Sequence, residues 1–163
     1  MIACLYQAPG WGTGSLLVED GCVVDHDEPA AGARPVARVG DDAFATMLGA
    51  RLKDYFAGAT DDFADVDLQA AWDWHGISED ARRLQRAVRG IPRGETASYA
   101  EIAQLAGRPR SWRAAGAACA RGPLGVIVPY HRVIRADGSI GGYGALGSER
   151  KRRLLALEGV RAR

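Results

Sequence analysis

No apolar run in this chain approaches the roughly 18 residues of a membrane-spanning helix. The start, Met1-Ile2-Ala3-Cys4, lacks the basic residues and following apolar stretch of a secretory leader. Cysteine is scarce too: Cys4, Cys22 and Cys119 are the three among 163 residues, an odd and widely spaced set. That disfavours a disulfide framework and makes a reducing cytoplasm the expected setting, with no membrane partner. What is present is 47% hydrophobic residues, enough for one sizeable core or two small ones.

Net charge is nearly missing, at +1, but only in the sum. Residues 1–79 carry 4 basic against 14 acidic residues, a formal −10, whereas residues 80–163 carry 17 against 6, a formal +11. Either the two halves neutralise each other or the basic half meets a polyanion. The asymmetry predicts two modules, 1–77 and 78–163.

Short strands are expected at Ile2–Gln7, Ser15–Val18 and Cys22–Val24, punctuated by glycines. Residues 28–39, rich in Pro, Ala and Gly, read as a loop. The spacing of Phe44, Met47, Leu48, Leu52, Tyr55 and Phe56 predicts a helix over 41–56. The acidic stretch 59–73 reads as a loop with one strand near Asp65–Leu68. Ser78 reads as the N-cap of a helix with the stripe Ala81, Leu84, Val88 and Ile91. Ser98 and Glu101 fit a capping box. Pro109 then opens a helix over 110–120, and Ser148 caps a last one running to Glu158. The first module is therefore an α/β domain and the second mainly helical.

Two short helices joined by Gly107-Arg108-Pro109 are a helix-turn-helix signal. The second reads Arg110-Ser111-Trp112-Arg113-Ala114-Ala115-Gly116-Ala117-Ala118-Cys119. It offers few side chains for reading base edges. Its small residues suit close, shape-based contact with DNA, as in the minor groove; they suit packing in a helical core as well.

Several motifs occur in order. They are Ile91-Pro92-Arg93-Gly94-Glu95-Thr96-Ala97-Ser98-Tyr99, then Arg113-Ala114-Ala115-Gly116, then Val128-Pro129-Tyr130-His131-Arg132-Val133, then Gly141-Gly142-Tyr143, and finally Lys151 with Leu154-Leu155-Ala156-Leu157-Glu158-Gly159. Residues 78–159 resemble the O6-alkylguanine-DNA alkyltransferases, whose active-site loop reads Pro-Cys-His-Arg-Val. The resemblance implies an RNase H-like N-terminal domain and a winged-helix-like C-terminal domain bearing the helix-turn-helix. It implies that Arg113 replaces an extruded nucleotide in the duplex and that Tyr99 presses on the target phosphate. Tyr130, Val133, Gly142 and Tyr143 would form the lesion-base pocket, and His131 with Glu158 would be a vestigial relay. Thr96, Ser98, Tyr99, Arg110, Ser111, Trp112, Arg113, Ala114, Arg132 and Lys151 would contact DNA.

The departures decide the reading. Tyr130 stands where the family has its nucleophilic cysteine. A phenol titrates near 10 against roughly 8.5 for a thiol and is a far poorer nucleophile towards an alkyl carbon. Members without the cysteine are the alkyltransferase-like proteins, which bind O6-alkylguanine without repairing it and pass it to nucleotide excision repair. The resemblance thus implies a monomeric, non-catalytic reader of lesions in double-stranded DNA. The alternative is a repurposed enzyme using Tyr130, His131 and Glu158 on an alkylated base or a small molecule. Gly122-Pro123 replaces the family's Asn-Pro, and Trp112 stands where a small residue is usual, free either to stack on a base or to fill core. Cys4, Cys22, His26 and His75 have the residue types of a tetrahedral zinc site, which some members carry with two Cys and two His. They fit equally well as two small buried cysteines and two surface histidines.

Overall fold

The computed structural model describes residues 1–33 and 37–163. They form a mixed α/β fold of two compact units: Met1–Gly76 with Pro123–Gly125, and Ile77–Gly122 with Val126–Arg163.

The first unit is built on an antiparallel meander of β1 (Ile2–Ala8), β2 (Gly12–Glu19) and β3 (Cys22–Ala30). Tyr6 lies opposite Gly14 in the β1–β2 register, and a Cβ at Gly14 would overlap the Tyr6 ring. That vacancy lets the phenol reach across to Nε2 of His26, at 2.6 Å. β3 runs further than its apolar start suggests, so Glu28–Ala30 is strand rather than loop; the rest of the expected loop includes 34–36, outside the described residues.

α1 (Ala43–Phe56) begins where Asp42 caps it, the carboxylate accepting from the Ala45 N–H at 2.9 Å. Leu48, Leu52, Tyr55 and Phe56 are its buried face, while Met47 is exposed. The strand expected near Asp65–Leu68 is not formed. Asp61, Asp62 and Asp67 accept from the backbone N–H groups of Phe63, Ala64 and Gln69, which turns the chain locally. Arg51 of α1 forks onto Asp61 and Asp65 at 2.8–2.9 Å and holds the loop. A short helix, α2 (Gln69–Trp74), follows.

The second unit is mainly helical. α3 (Glu79–Arg89) is capped by Ser78, with Glu79 and Asp80 in its first turn. A two-residue strand, β4 (Ala97–Ser98), precedes α4 (Tyr99–Leu105), and Ser98 and Glu101 complete the reciprocal capping box. α5 (Trp112–Ala120) starts two residues later than the proline suggests, because Ser111 N–H first closes a turn on the Arg108 carbonyl at 2.9 Å. Ala115 and Ala118 are the buried face of α5; Trp112, Arg113, Ala114 and Ala117 are exposed. β5 (Val133–Ile134) pairs in parallel with β4, Ala97 opposite Val133, a non-local pairing that two-residue strands do not announce. α6 (Gly147–Leu157) begins before Ser148, which lies in its first turn rather than at its cap. Among the described residues no helix is long and apolar enough to cross a membrane.

Candidate functional site

Tyr130, His131 and Arg132 form a single 3-10 turn leading into β5, and all three are buried. The turn is tied to the residue after α6. Nε2–H of His131 donates to Oε1 of Glu158 at 2.9 Å. Arg132 forks onto the same carboxylate, from Nε to Oε2 at 2.9 Å and from Nη2 to Oε1 at 2.7 Å. Its Nη1 donates to the carbonyl of Ile91 at 2.6 Å. One carboxylate therefore fixes an imidazole and a guanidinium together. Burial outweighs the attraction of Glu158 and holds His131 below its ordinary pKa. The ring is thus neutral at pH 7, with its basic lone pair on Nδ1.

Tyr130 is 5% exposed. Burial, and secondarily the neighbouring Cys119, push its phenol well above the usual value near 10. Its ring lies against the end of α5: a Cβ at Gly122 would land on the phenol's Cζ and Oη. Burial also pushes the Cys119 thiol up to about 12, and the Cys4 thiol is raised by the same cause. Neither is a thiolate at neutral pH.

Arg132 and Lys151, expected on the DNA face, are interior groups instead, at 5% and 1% exposure. The Lys151 ammonium donates to the carbonyls of Val133, at 2.5 Å, and Gly142, at 3.2 Å, tying β5 to the Gly141-Gly142 loop. Burial lowers its pKa to about 8. The signal was in the sequence: Lys151, Leu154, Leu155 and Glu158 fall at i, i+3, i+4 and i+7, one stripe of a helix. Tyr143 is half-buried in the loop that Lys151 holds.

A cavity of about 650 Å³ opens beside this cluster, lined by Tyr99, Ala100, Trp112, Arg113, Gly116, Arg135 and Ala136. Tyr130, Val133, Gly142 and Tyr143 are not in that lining, so the residues expected to floor the base pocket are not those of the open cavity. Tyr99 is half-buried, and a Cβ at Gly116 would meet its ring at 3.9 Å, an ordinary contact. Arg110 and Ala114 are exposed, and Thr96, Ser98 and Ser111 half-buried. Sequence reasoning passed over Arg135, whose only sign was its charge just after β5; it noted Gly122 as a departure from the family's Asn-Pro but not its contact with the Tyr130 ring, which depends on a residue eight positions away.

The four residues considered for zinc do not converge. Both nitrogens of buried His26 are engaged: Nδ1–H donates to the Gly125 carbonyl at 2.7 Å, so Nε2 accepts from the Tyr6 hydroxyl. Cys4 is buried, Cys22 is exposed at the β2–β3 turn, and His75 approaches Asp25 at 3.4 Å. Among the described residues no three His, Cys, Asp or Glu side chains are grouped to hold a metal ion. This donor set does not fit zinc.

Residues 80–160 match the family model "6-O-methylguanine DNA methyltransferase, DNA binding domain". The chain is 48% identical over 108 residues to the methylated-DNA–protein-cysteine methyltransferase of Mycolicibacterium paratuberculosis, a match that spans 66% of this chain and 61% of that relative's length. It is 40% identical over 125 residues to the protein of the same name from Methanosarcina acetivorans, covering 77% of this chain and 76% of that one. The fold is similar to that of Mycobacterium tuberculosis OGT in complex with DNA, with a TM-score of 0.77, 32% identity, and 97% of this chain and 92% of the other covered. With the ordered motifs placed around one buried His–Arg–Glu cluster, these likenesses make the chain a member of the O6-methylguanine-DNA methyltransferase family.

Proposed function

We propose that this protein recognises O6-alkylated guanine in double-stranded DNA by base flipping, transfers no alkyl group, and marks the site for nucleotide excision repair proteins. The observation that carries the reading is Tyr130, a buried and protonated phenol at the position of the family's nucleophile. The His131–Glu158 contact is kept, but there is no thiolate for it to activate. The same phenol argues against the alternative, a repurposed enzyme with Tyr130 as nucleophile. DNA as the ligand is supported by the basic second half of the chain and by the DNA complex of the M. tuberculosis relative. Arg113, exposed on the first turn of α5, is the wedge, and Tyr99 the group that presses on the target phosphate. An alkylated guanine pairs poorly and is cheaper to unstack than a normal one, so flipping itself contributes selectivity. In this reading the three-stranded meander followed by α1 is an RNase H-like domain, and the helix-turn-helix with the β4–β5 pair is winged-helix-like; the protein acts as a monomer.

The test is a titration of O6-methylguanine and undamaged duplexes at one salt concentration, because the phosphate contribution alone depends steeply on salt. Tighter binding to the alkylated duplex, with intact protein mass unchanged after incubation, is the expected result. Equal affinities overturn lesion recognition; a mass increase of one alkyl group on Tyr130 overturns the non-catalytic reading.

A further inference from the structure

We infer that Trp112 is a stacking platform for an unstacked nucleobase, working with Arg113 as one composite wedge. The inference rests on duplex DNA being the ligand, as proposed above, and goes beyond it by assigning the position that the family's motif leaves open. Trp112 is the first residue of α5 and is 53% exposed. The guanidinium carbon of Arg113 lies 5.1 Å from the centroid of that indole, a cation–π distance. The arginine is thereby held against a flat apolar ring rather than swinging free.

An exposed indole presents a broad flat face on which a base can stack. Trp112 also lines the 650 Å³ cavity, whose walls combine two aromatic rings, Tyr99 and Trp112, with two guanidinium groups, Arg113 and Arg135. Aromatic rings beside cations suit a base with its phosphate: the base stacks, the phosphate pairs with an arginine, and no base-edge hydrogen bond is needed. A duplex offers such a base only where one has left the stack. Trp112 therefore favours DNA in which a nucleotide has already been extruded, and it holds that state open. It is a positioning and specificity residue, and no bond is made or broken at it.

The experiment uses the full chain and a duplex carrying 2-aminopurine opposite an abasic site, a base with no pairing partner, therefore cheap to extrude, and free of any alkyl group. Wild type, Trp112→Ala and Trp112→Phe are compared. Trp112→Ala should weaken binding about tenfold, or about 1.4 kcal/mol. Trp112→Phe should recover most of the affinity. Affinities within twofold for all three proteins overturn the platform. Far-ultraviolet circular dichroism of each variant identifies a loss caused by unfolding; in that case Trp112→Phe decides, weak binding by a folded Phe variant counting against stacking as such. A failure of lesion recognition shows up separately, as equal wild-type affinity for alkylated and undamaged duplexes.

Discussion

At the scale of single residues the informative pair is Tyr130 and Gly122. The tyrosine alone reads as the loss of a nucleophile. Its ring, however, occupies the space where a side chain at 122 would lie, so the two positions share one volume. Gly122 is not among the residues with positive φ, so it is needed for room rather than for backbone conformation. Gly122→Ala should therefore destabilise the protein by about 1–3 kcal/mol, the range for forcing an extra carbon into a packed interior. Tyr130→Cys alone should cost roughly 2–5 kcal/mol through the void it leaves. In the double variant the added methyl has space, and the alanine should cost close to nothing. Urea unfolding of the four proteins gives the coupling directly. Additive losses would mean that the ring simply moves aside and that the two positions are independent.

Among the elements, the 3-10 turn Tyr130–Arg132 and the end of α6 depend on each other through Glu158, which serves His131 and Arg132 at once. The motif suggested a catalytic relay for Glu158, but its second oxygen and the Arg132 fork give it an architectural task too, since Arg132 continues to the Ile91 carbonyl beyond α3. Glu158→Ala leaves a buried guanidinium without its carboxylate and should cost about 3–5 kcal/mol, whereas Glu158→Gln keeps the shape and should cost clearly less. An unfolding free energy for Glu158→Ala within about 1 kcal/mol of wild type would show that the cluster does not hold the turn. Elements with local signals were legible in the sequence. Ser78 and Ser98 act as caps, and the apolar spacing of α1 and α3 marks their buried faces. Elements made by distant partners were not. β4 and β5 have two residues each and exist through their pairing, and the 61–68 loop is shaped by Arg51 reaching across from α1. Lys151, given a DNA contact by the family resemblance, is buried, and its helical position beside Leu154 and Leu155 put it on the inner stripe.

Over the whole molecule, the charge asymmetry of −10 and +11 is plain in the sequence, whereas each unit's dependence on a buried neutral histidine is not. His26 in the first unit and His131 in the second are both held below the ordinary value, in each case mainly by burial. For His26 the shift is from 6.5 to about 4, against the pull of the Gly125 carbonyl and of Asp25 and Asp27. Above pH 6.5 both folded and unfolded chains carry it neutral, and pH has no leverage through this group. As pH falls below 6.5 the unfolded chain takes up a proton that the folded chain refuses, so stability declines until about pH 4, where the folded ring also protonates. The full span corresponds to a loss on the order of 3 kcal/mol. His131, shifted the same way, adds to it. Protonation would also force a second N–H onto Nε2, which now accepts from Tyr6, so the hydroxyl would have to turn. His26→Gln should cost about 1–3 kcal/mol at pH 7 through the disturbed Tyr6 and Gly125 contacts. Between pH 6.5 and 4 it should then lose markedly less stability than wild type, the remaining slope coming from His131 and, toward pH 4, from carboxylates held low such as Asp61. Urea unfolding at pH 7, 5.5 and 4 measures both slopes. Parallel pH profiles for wild type and His26→Gln would mean that His26 takes its proton as easily folded as unfolded, and that its burial on β3 does not hold it neutral.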